Sequence, residues 1–310
     1  MKKISIVTGC YNEEENLPEL YDQLMKVVKE FEDRYEYEII VSDNNSTDRS
    51  PQILRELAMR DKNVKVILNS RNFGPNRSGY NAIMQAHGDA VVVIVSDLQD
   101  PPSMIKDFIE KWEQGYKVVM TVKTGSKESF IFYLLRTFYY KALAGLSNVN
   151  LVPHFTGFGL YDRQVIEILR GLQDPYPYFR GLIADIGFEP AIIEFTQPAR
   201  KHGKSKSNIL YLYEEAMLGI TSYTKVPLRL ATIVGFISAL ISFLIGMFYL
   251  VYKLMFWTSF SVGTAPVTIG LFFFASIQLI FLGVLGEYIS MIYVHVLKRP
   301  LVYEKERINF

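Results

Sequence analysis

Apolar and polar positions divide the chain into two stretches of different rhythm. In the first, short β-branched runs alternate with helical stripes. Ile4-Ser5-Ile6-Val7-Thr8, Glu38-Ile39-Ile40-Val41-Ser42, Val64-Lys65-Val66-Ile67-Leu68 and Ala90–Val95 read as strands. The last is unbroken in its apolar character, as expected at the centre of a parallel sheet. Leu17–Phe31 carries Leu17, Leu20, Leu24, Val27, Val28 and Phe31 on one helical face. Pro51–Met59 and Asn76–Ala86 are the next predicted helices, the first capped by Thr47 or Asp48 and the second closed near Gly88. This alternation predicts an α/β fold, a Rossmann-like, mostly parallel sheet with ligands at the carboxyl ends of the strands. Polar clusters stand at those ends: Tyr11–Glu14, Asp43–Asp48, Arg71–Asn72 and Asp97–Asp100.

The second stretch loses its charges. Leu230–Tyr252 is 23 residues without one, and Ala265–Gly286 adds 22 more. Either crosses a hydrocarbon core of about 30 Å as a helix. The predicted organisation is a soluble domain over 1–224, two transmembrane helices within 225–297 (about 229–252 and 265–294) and a tail over 298–310. Lys225 and Arg229 precede the first span, and Lys298 and Arg299 follow the second. This distribution predicts an integral protein of the cell (inner) membrane with the soluble domain and both termini cytoplasmic. Met1-Lys2-Lys3 and the short apolar run behind it meet Asn12-Glu13-Glu14-Glu15 too soon for a signal peptide.

Composition narrows the chemistry. With 310 residues, 49% hydrophobic and 21% charged, the chain is too apolar for disorder and too charged for an all-membrane bundle. The single cysteine, Cys10, excludes a disulfide framework and is expected to be a small buried residue. His87, His154, His202 and His295 have no zinc spacing. A net charge of +1 gives no global attraction to nucleic acid. Neither GxGxxG after the first strand nor a Walker-A motif is present, which argues against dinucleotide oxidoreductases and P-loop NTPases. Acidic residues at strand ends suit a divalent metal on a diphosphate, or hydrogen bonds to base and ribose.

Five segments in order carry a family resemblance. Val7–Leu17 (VTGCYNEEENL), Asp43–Asp48 (DNNSTD), Ser70–Gly74 (SRNFG), Asp97–Pro102 (DLQDPP) and Arg200–Lys206 (RKHGKSK) resemble family-two GT-A glycosyltransferases. The fifth segment resembles polyprenyl-phosphate glycosyltransferases of the bactoprenol glucosyltransferase type. So do Pro227-Leu228-Arg229-Leu230, Leu285-Gly286-Glu287-Tyr288-Ile289 and Lys298-Arg299-Pro300 at the span ends. The resemblance covers nearly the whole chain. It implies an inverting enzyme that moves a sugar from a nucleotide-sugar donor, usually a UDP-sugar, to a membrane polyprenyl phosphate for cell-envelope glycan modification. It implies donor contacts from Tyr11, Asn12, Glu13, Asp43, Arg71 and Asp97. Asp97 and Gln99 would hold Mg²⁺ or Mn²⁺. Arg180, Arg200, Ser205 and Lys206 would serve the acceptor or the diphosphate. The family also suggests a homo-oligomer, for which Gly235, Ser238, Ser242 and Gly246 would allow close helix packing.

Two positions depart from the family pattern. The metal motif DxD has Val95 at its first position. Where relatives carry a catalytic Asp, this chain has Pro153 or Gly157. A phosphate monoester is largely dianionic at neutral pH, so its oxygen needs positioning more than deprotonation. His154 and Asp162 are candidate substitutes for the base, or else a loop residue and a structural ion pair. His202 lies within the phosphate segment. The same departures motivate a different class of function, a donor-binding membrane partner without catalysis in a glycan assembly or flipping complex. A processive polysaccharide synthase is disfavoured by two spans and no QxxRW motif. Phe130–Leu146, with Arg136, and Ile209–Ile220 read as amphipathic helices at the membrane surface. Glu287 is expected to pair with Lys298, Arg229 or headgroup water.

Overall fold

The computed structural model describes residues 1–125, 149, 151–198, 200–201, 209–256 and 264–310. The alternation of side chains along its strands builds two cores. Along β1 (Lys2–Cys10) and β2 (Tyr35–Asp43), Ile4, Ile6, Ile39 and Val41 face one side, and Val7 and Ile40 the other. On the first side lie α1 (Leu17–Val28), α2 (Ser50–Arg60) and α4 (Ile105–Glu113), with Leu24, Leu54 and Phe108 fully buried. On the second lie α3 (Pro75–Met84), α5 (Arg163–Leu172) and α6 (Phe179–Ile186), with Tyr80, Ile166 and Ile183. Each such side chain contributes roughly 2 kcal/mol of burial. The stripe predicted for α1 is the buried one, and Phe31 continues it past the helix end.

The remaining strands are β3 (Val64–Asn69), β4 (Ala90–Val93), β5 (Val118–Gly125), β6 (Phe155–Asp162), β7 (Pro190–Thr196) and β8 (Glu304–Ile308). The eight form one sheet in the order β7-β5-β6-β4-β1-β2-β3-β8. Strands β4, β1, β2 and β3 are parallel, while β6 runs antiparallel to both β4 and β5. The start of β6 and the end of β5 therefore lie at the same sheet end as the end of β4. The strand predicted over Ala90–Val95 stops at Val93. The Ile94 N–H still donates to Val7 O at 3.0 Å, but Val95 turns outward and is 43% exposed.

The C-terminal segment differs from the expected tail. β8 pairs antiparallel with β3, with Glu304 opposite Asn69 and Ile308 opposite Val66. Ser70 N–H donates to Tyr303 O, Asn81 Nδ2 to Glu304 Oε1, and Asn309 Nδ2 to the carbonyls of Ala58 and Val64.

Helix α7 (Ile209–Tyr223) leads into α8 (Val226–Met255), and α9 (Thr264–Leu297) returns toward β8. Thr224 Oγ1 accepts from Val226 N–H, and Pro227 occupies the first turn of α8, which together fix where it starts. Val226–Phe248 and Phe273–Leu297 are long and apolar enough to cross a membrane, with mean hydropathies of 2.3 and 1.7, and neither window is buried within the chain. Tyr288 donates to Thr224 O at 2.8 Å and Tyr213 to Glu287 Oε1 at 3.0 Å, tying α9 to α7. Glu287 therefore takes a tyrosine of α7, and among the described residues neither Lys298 nor Arg229, the ion-pair partners expected for it, is paired with it. The Phe130–Leu146 segment with Arg136 lies outside the described residues.

Candidate active site

The loops at the carboxyl ends of β1, β2 and β4 are locked to one another. Asn12 sits in the left-handed region at φ 55°, which asparagine tolerates. Its N–H donates to Ser46 Oγ at 2.8 Å, and its Oδ1 accepts from Thr47 N–H at 2.7 Å. Glu13 N–H donates to Ser50 Oγ, and Glu14 N–H to Asp48 Oδ2. Asp48 Oδ1 also accepts from Ser50 N–H, so Asp48 is the residue that closes the start of α2. Tyr11 is half-buried beside them.

Asp43 is buried, with Oδ2 accepting from Ser46 N–H and Cys10 Sγ donating to Oδ1. Burial, reinforced by the Asp43 charge, pushes the Cys10 thiol well above its usual range, so it is an inert buried group. Asn44 joins a third loop: its Oδ1 accepts from Phe73 N–H and its Nδ2 donates to Asn72 Oδ1. In that loop Arg71 is exposed, with its guanidinium 4.0 Å from the Phe73 ring centroid.

Asp97 follows β4. Its Oδ1 accepts from Gln99 N–H at 3.1 Å, a short turn that leaves Oδ2 facing Arg200 Nη1 at 3.9 Å. The other arm of the Arg200 guanidinium donates to Glu13 Oε1 at 2.5 Å. Glu13 Oε2 accepts from Asn16 Nδ2. Two largely buried carboxylates thus share one guanidinium. Burial raises the Asp97 pKa, against the Gln99 N–H bond and the Arg200 charge. Asp100 is buried deeper. Burial first, with the Asp97 charge adding, pushes it up to about 7, although Val95 N–H donates to its Oδ2.

The segment carrying Arg200 is tied down from two sides. Lys123 Nζ, at the end of β5, donates to Gln197 Oε1 at 2.5 Å, and Gln99 Nε2 donates to Pro198 O at 3.4 Å. Lys123 also places a positive charge near Asp97 and Asp100. Lys123 had no motif to mark it, because its partner Gln197 is 74 residues away, whereas Asn44 joins two of the quoted segments, 43–48 and 70–74.

The structure therefore gathers Asn12, Glu13, Asp97, Gln99 and Arg200 at one sheet end, with Asp43 beneath them. His154 lies at the same end, just before β6, in the left-handed region at φ 60°, with its carbonyl accepting from Lys123 N–H. Gly157 has φ 94°. An added Cβ there meets only Phe179 Cδ1, at 3.7 Å, so backbone strain rather than space resists an aspartate at this position.

Asp162 requires a correction as a catalytic candidate. It lies at the opposite end of β6, paired with Ala90, and caps α5 by accepting from Gln164 N–H. Trp112 Nε1 donates to it at 2.7 Å, and Lys117 Nζ at 3.1 Å. Arg180 stands in the first turn of α6, next to Phe179, whose ring borders Gly157. It pairs with Glu215 Oε1 on α7 at 3.4 Å, while Asn76 Nδ2 donates to Glu215 Oε2 at 2.6 Å. Ser205, Lys206 and His202 lie outside the described residues.

Among the described residues, no group of three or more His, Cys, Asp or Glu side chains converges on a metal site. Val95 offers no oxygen, which leaves the Asp97 carboxylate and the Gln99 amide. This donor set fits a cation of the Mg²⁺ or Mn²⁺ type held by one carboxylate and completed by phosphate oxygens of a substrate.

The sequence profile of Glycosyl transferase family 2 matches residues 5–169. The chain belongs to this family. The glycosyltransferase is 37% identical over 299 residues to an uncharacterized glycosyltransferase of Bacillus subtilis (strain 168), covering 96% of this chain and 91% of that one. It is 34% identical over 301 residues to the SfII prophage-derived bactoprenol glucosyl transferase of Shigella flexneri, covering 96% of each. A solved structure of glucosyl-3-phosphoglycerate synthase from Mycobacterium tuberculosis, with Mn²⁺, UDP and glucosyl-3-phosphoglycerate, aligns over 71% of this chain and 78% of its own. Its TM-score is 0.46 and its identity 18%. The glycosyltransferase has the α/β fold of the GT-A type, with two apolar C-terminal helices.

Proposed function

We propose that this glycosyltransferase moves a sugar from a nucleotide diphosphate donor, with UDP-sugars first in order, to a polyprenyl phosphate at the cytoplasmic face of the cell membrane. One observation carries the reading. The pairing of Glu304 with Asn69 brings the chain leaving α9 to the carboxyl end of β3, the sheet end that holds Glu13, Asp97 and Arg200. A phosphate on a membrane lipid and a soluble donor would meet there. The return of β8 to the sheet supports a topology in which the soluble domain and the segment after α9 share one side of the membrane. The relatives named bactoprenol glucosyl transferases support the lipid acceptor.

In the proposed reaction an acceptor phosphate oxygen attacks the anomeric carbon of the sugar. The bond from that carbon to the donor's β-phosphate oxygen breaks, the nucleoside diphosphate leaves, and configuration inverts. The acceptor oxygen is already anionic, so the reaction does not wait on a base at position 157. Asp97 and Gln99 would hold the divalent cation, which supplies charge stabilisation on the leaving diphosphate. Arg200 presents a planar pair of donors suited to phosphate oxygens. The loops pinned by Asn12, Asp43 and Asn44 hold the donor end without rearrangement.

The test is an assay of the purified full chain in detergent with undecaprenyl phosphate, Mg²⁺ or Mn²⁺ and a panel of UDP-sugars, with lipid products read by mass. A lipid-phosphate sugar whose formation is lost in Asp97→Ala supports the proposal and identifies the sugar. Tight UDP binding with no product from any donor supports instead a donor-binding partner without catalysis. The outward turn of Val95 and the backbone at Gly157 favour that second reading.

A further inference from the structure

A cavity of about 530 Å³ opens between the end of α9 and the paired helices α3 and α5. Its lining carries Arg170, His295, Lys298 and Arg299 against a single acid, Asp174. Asp174 is already engaged, with Oδ1 accepting from Tyr176 N–H and lying 3.5 Å from His295 Nε2. Arg170 spends its donors on the carbonyls of Met84 and Ala86 and on Glu167, so it adds charge but few free bonds. Lys298 and Arg299 are exposed and have no hydrogen-bond or ion-pair partner among the described residues.

A further cation crowds the same turn. Arg77 Nη2 donates to Pro300 O at 2.9 Å, and its buried Nε has no partner. Burial and repulsion from Arg71 and Arg299 lower the Arg77 pKa, a sign of positive charge left uncompensated. None of the cavity's residues belongs to the Glu13–Asp97–Arg200 cluster. Lys298 follows directly on Leu297, the last residue of the second apolar window, which sets the cavity at headgroup depth.

From this juxtaposition we propose that the cavity binds the phosphate headgroup of an anionic membrane phospholipid, with Lys298 and Arg299 as its principal ligands and the acyl chains lying along α9. The site is separate from the acceptor's, and its occupancy fixes the angle between α9 and the soluble domain. Basic pockets at the cytoplasmic ends of membrane helices suit this ligand by charge and by depth. The inference rests on the membrane placement of α8 and α9 proposed above.

The experiment is native mass spectrometry of the full chain extracted from vesicles of phosphatidylcholine with phosphatidylglycerol. The wild type is expected to retain phosphatidylglycerol. Lys298→Gln/Arg299→Gln is expected to lower that occupancy by about tenfold or more, while Lys225→Gln/Arg229→Gln, at the start of α8, leaves it unchanged. A second readout needs no variant: phosphatidylglycerol added to zwitterionic nanodiscs raises the wild-type Tm. Equal loss in both double variants means diffuse surface charge and overturns the site. Equal stabilisation by inorganic phosphate assigns the cavity to a free anion and overturns the lipid. Absence of the protein from the membrane fraction removes the membrane placement and this proposal with it. Failure of the wild type to retain phosphatidylglycerol while it still fractionates with membranes overturns the cavity alone.

Discussion

Arg200 donates to Glu13 across 187 residues of sequence, joining the segment after β7 to the loop after β1. The same guanidinium faces Asp97, so it closes the candidate site and balances two acids at once. Replacing it with Gln keeps some hydrogen bonding but removes the charge. Arg200→Gln is expected to lower kcat/KM about 100-fold, within the usual range for one lost electrostatic donor at a developing charge. Arg200→Lys should recover only part of this, since a point charge cannot make paired bonds. Steady-state kinetics of the three proteins would check the order. Equal rates for all three would remove Arg200 from the reaction.

Asp97 and Asp162 separate activity from stability. Asp162 holds the indole of Trp112, the ammonium of Lys117 and the first turn of α5. Asp162→Ala should cost about 3 kcal/mol through lost bonds to a charged group and a lost cap, with KM for donor unchanged below the new Tm. Asp97→Ala should do the reverse. Thermal melts read beside kinetics distinguish them, and a loss of turnover in Asp162→Ala at full folding would return that residue to the catalytic group.

Glu38 sets an acid limit on the sheet. It is 2% exposed and accepts from Ser5 Oγ, Lys65 Nζ and His87 N–H. Burial alone would raise its pKa, but the bonds from Lys65, Ser5 and His87 outweigh it and hold the carboxyl below its ordinary value. The folded value is therefore below the unfolded one, near 4.3. Its contribution is full above the unfolded value and is lost as pH falls through the folded one. Glu38→Gln should cost about 3 kcal/mol at pH 7 and progressively less as pH drops below about 4. Melting curves across that range would show wild type and variant converging; a constant gap would contradict the assignment.

The β8 strand is held by its backbone rather than by its charges. Arg55 and Glu306 meet at 2.7 Å, but both are more than a third exposed, so Glu306→Ala should change stability by less than about 1 kcal/mol. Asn309 Nδ2 instead satisfies two backbone carbonyls, and Asn309→Ala should cost about 1–2 kcal/mol. Deleting residues 304–310 should exceed both, because it bares the whole edge of β3. Tm values in a fixed detergent give the ranking.

The strands legible in the sequence are those buried on both faces, since β1, β2 and β3 show their burial as apolar runs. Helix α1 was legible from its one buried apolar stripe, and the two long apolar helices from their uncharged length. β8 was not: Glu304, Lys305, Glu306 and Arg307 carry charges on both faces, which suits an edge strand and mimics a solvated tail. The acids and bases at the strand ends could be named from their order, but their duties could not. Asp97 and Asp162 are both aspartates at strand ends. Only the antiparallel course of β6 separates them, placing one by Arg200 and the other by Trp112. The partner of Glu287 was hidden because Tyr213 lies on a different helix 74 residues away.

The antiparallel pairing of β8 with β3 also orders biosynthesis. β3 is complete by residue 69, yet its outer edge waits for residues 304–308, which leave the ribosome only after both apolar helices. During translation the soluble domain carries an open edge, a template for pairing with other chains. In the membrane arrangement proposed above, the sheet would close only once the two apolar helices had been inserted and the chain had come back to the side where it began. An insertion fault would therefore leave a full-length polypeptide with its third strand unpaired, a lesion that cellular proteolysis could detect in the aqueous domain rather than in the bilayer.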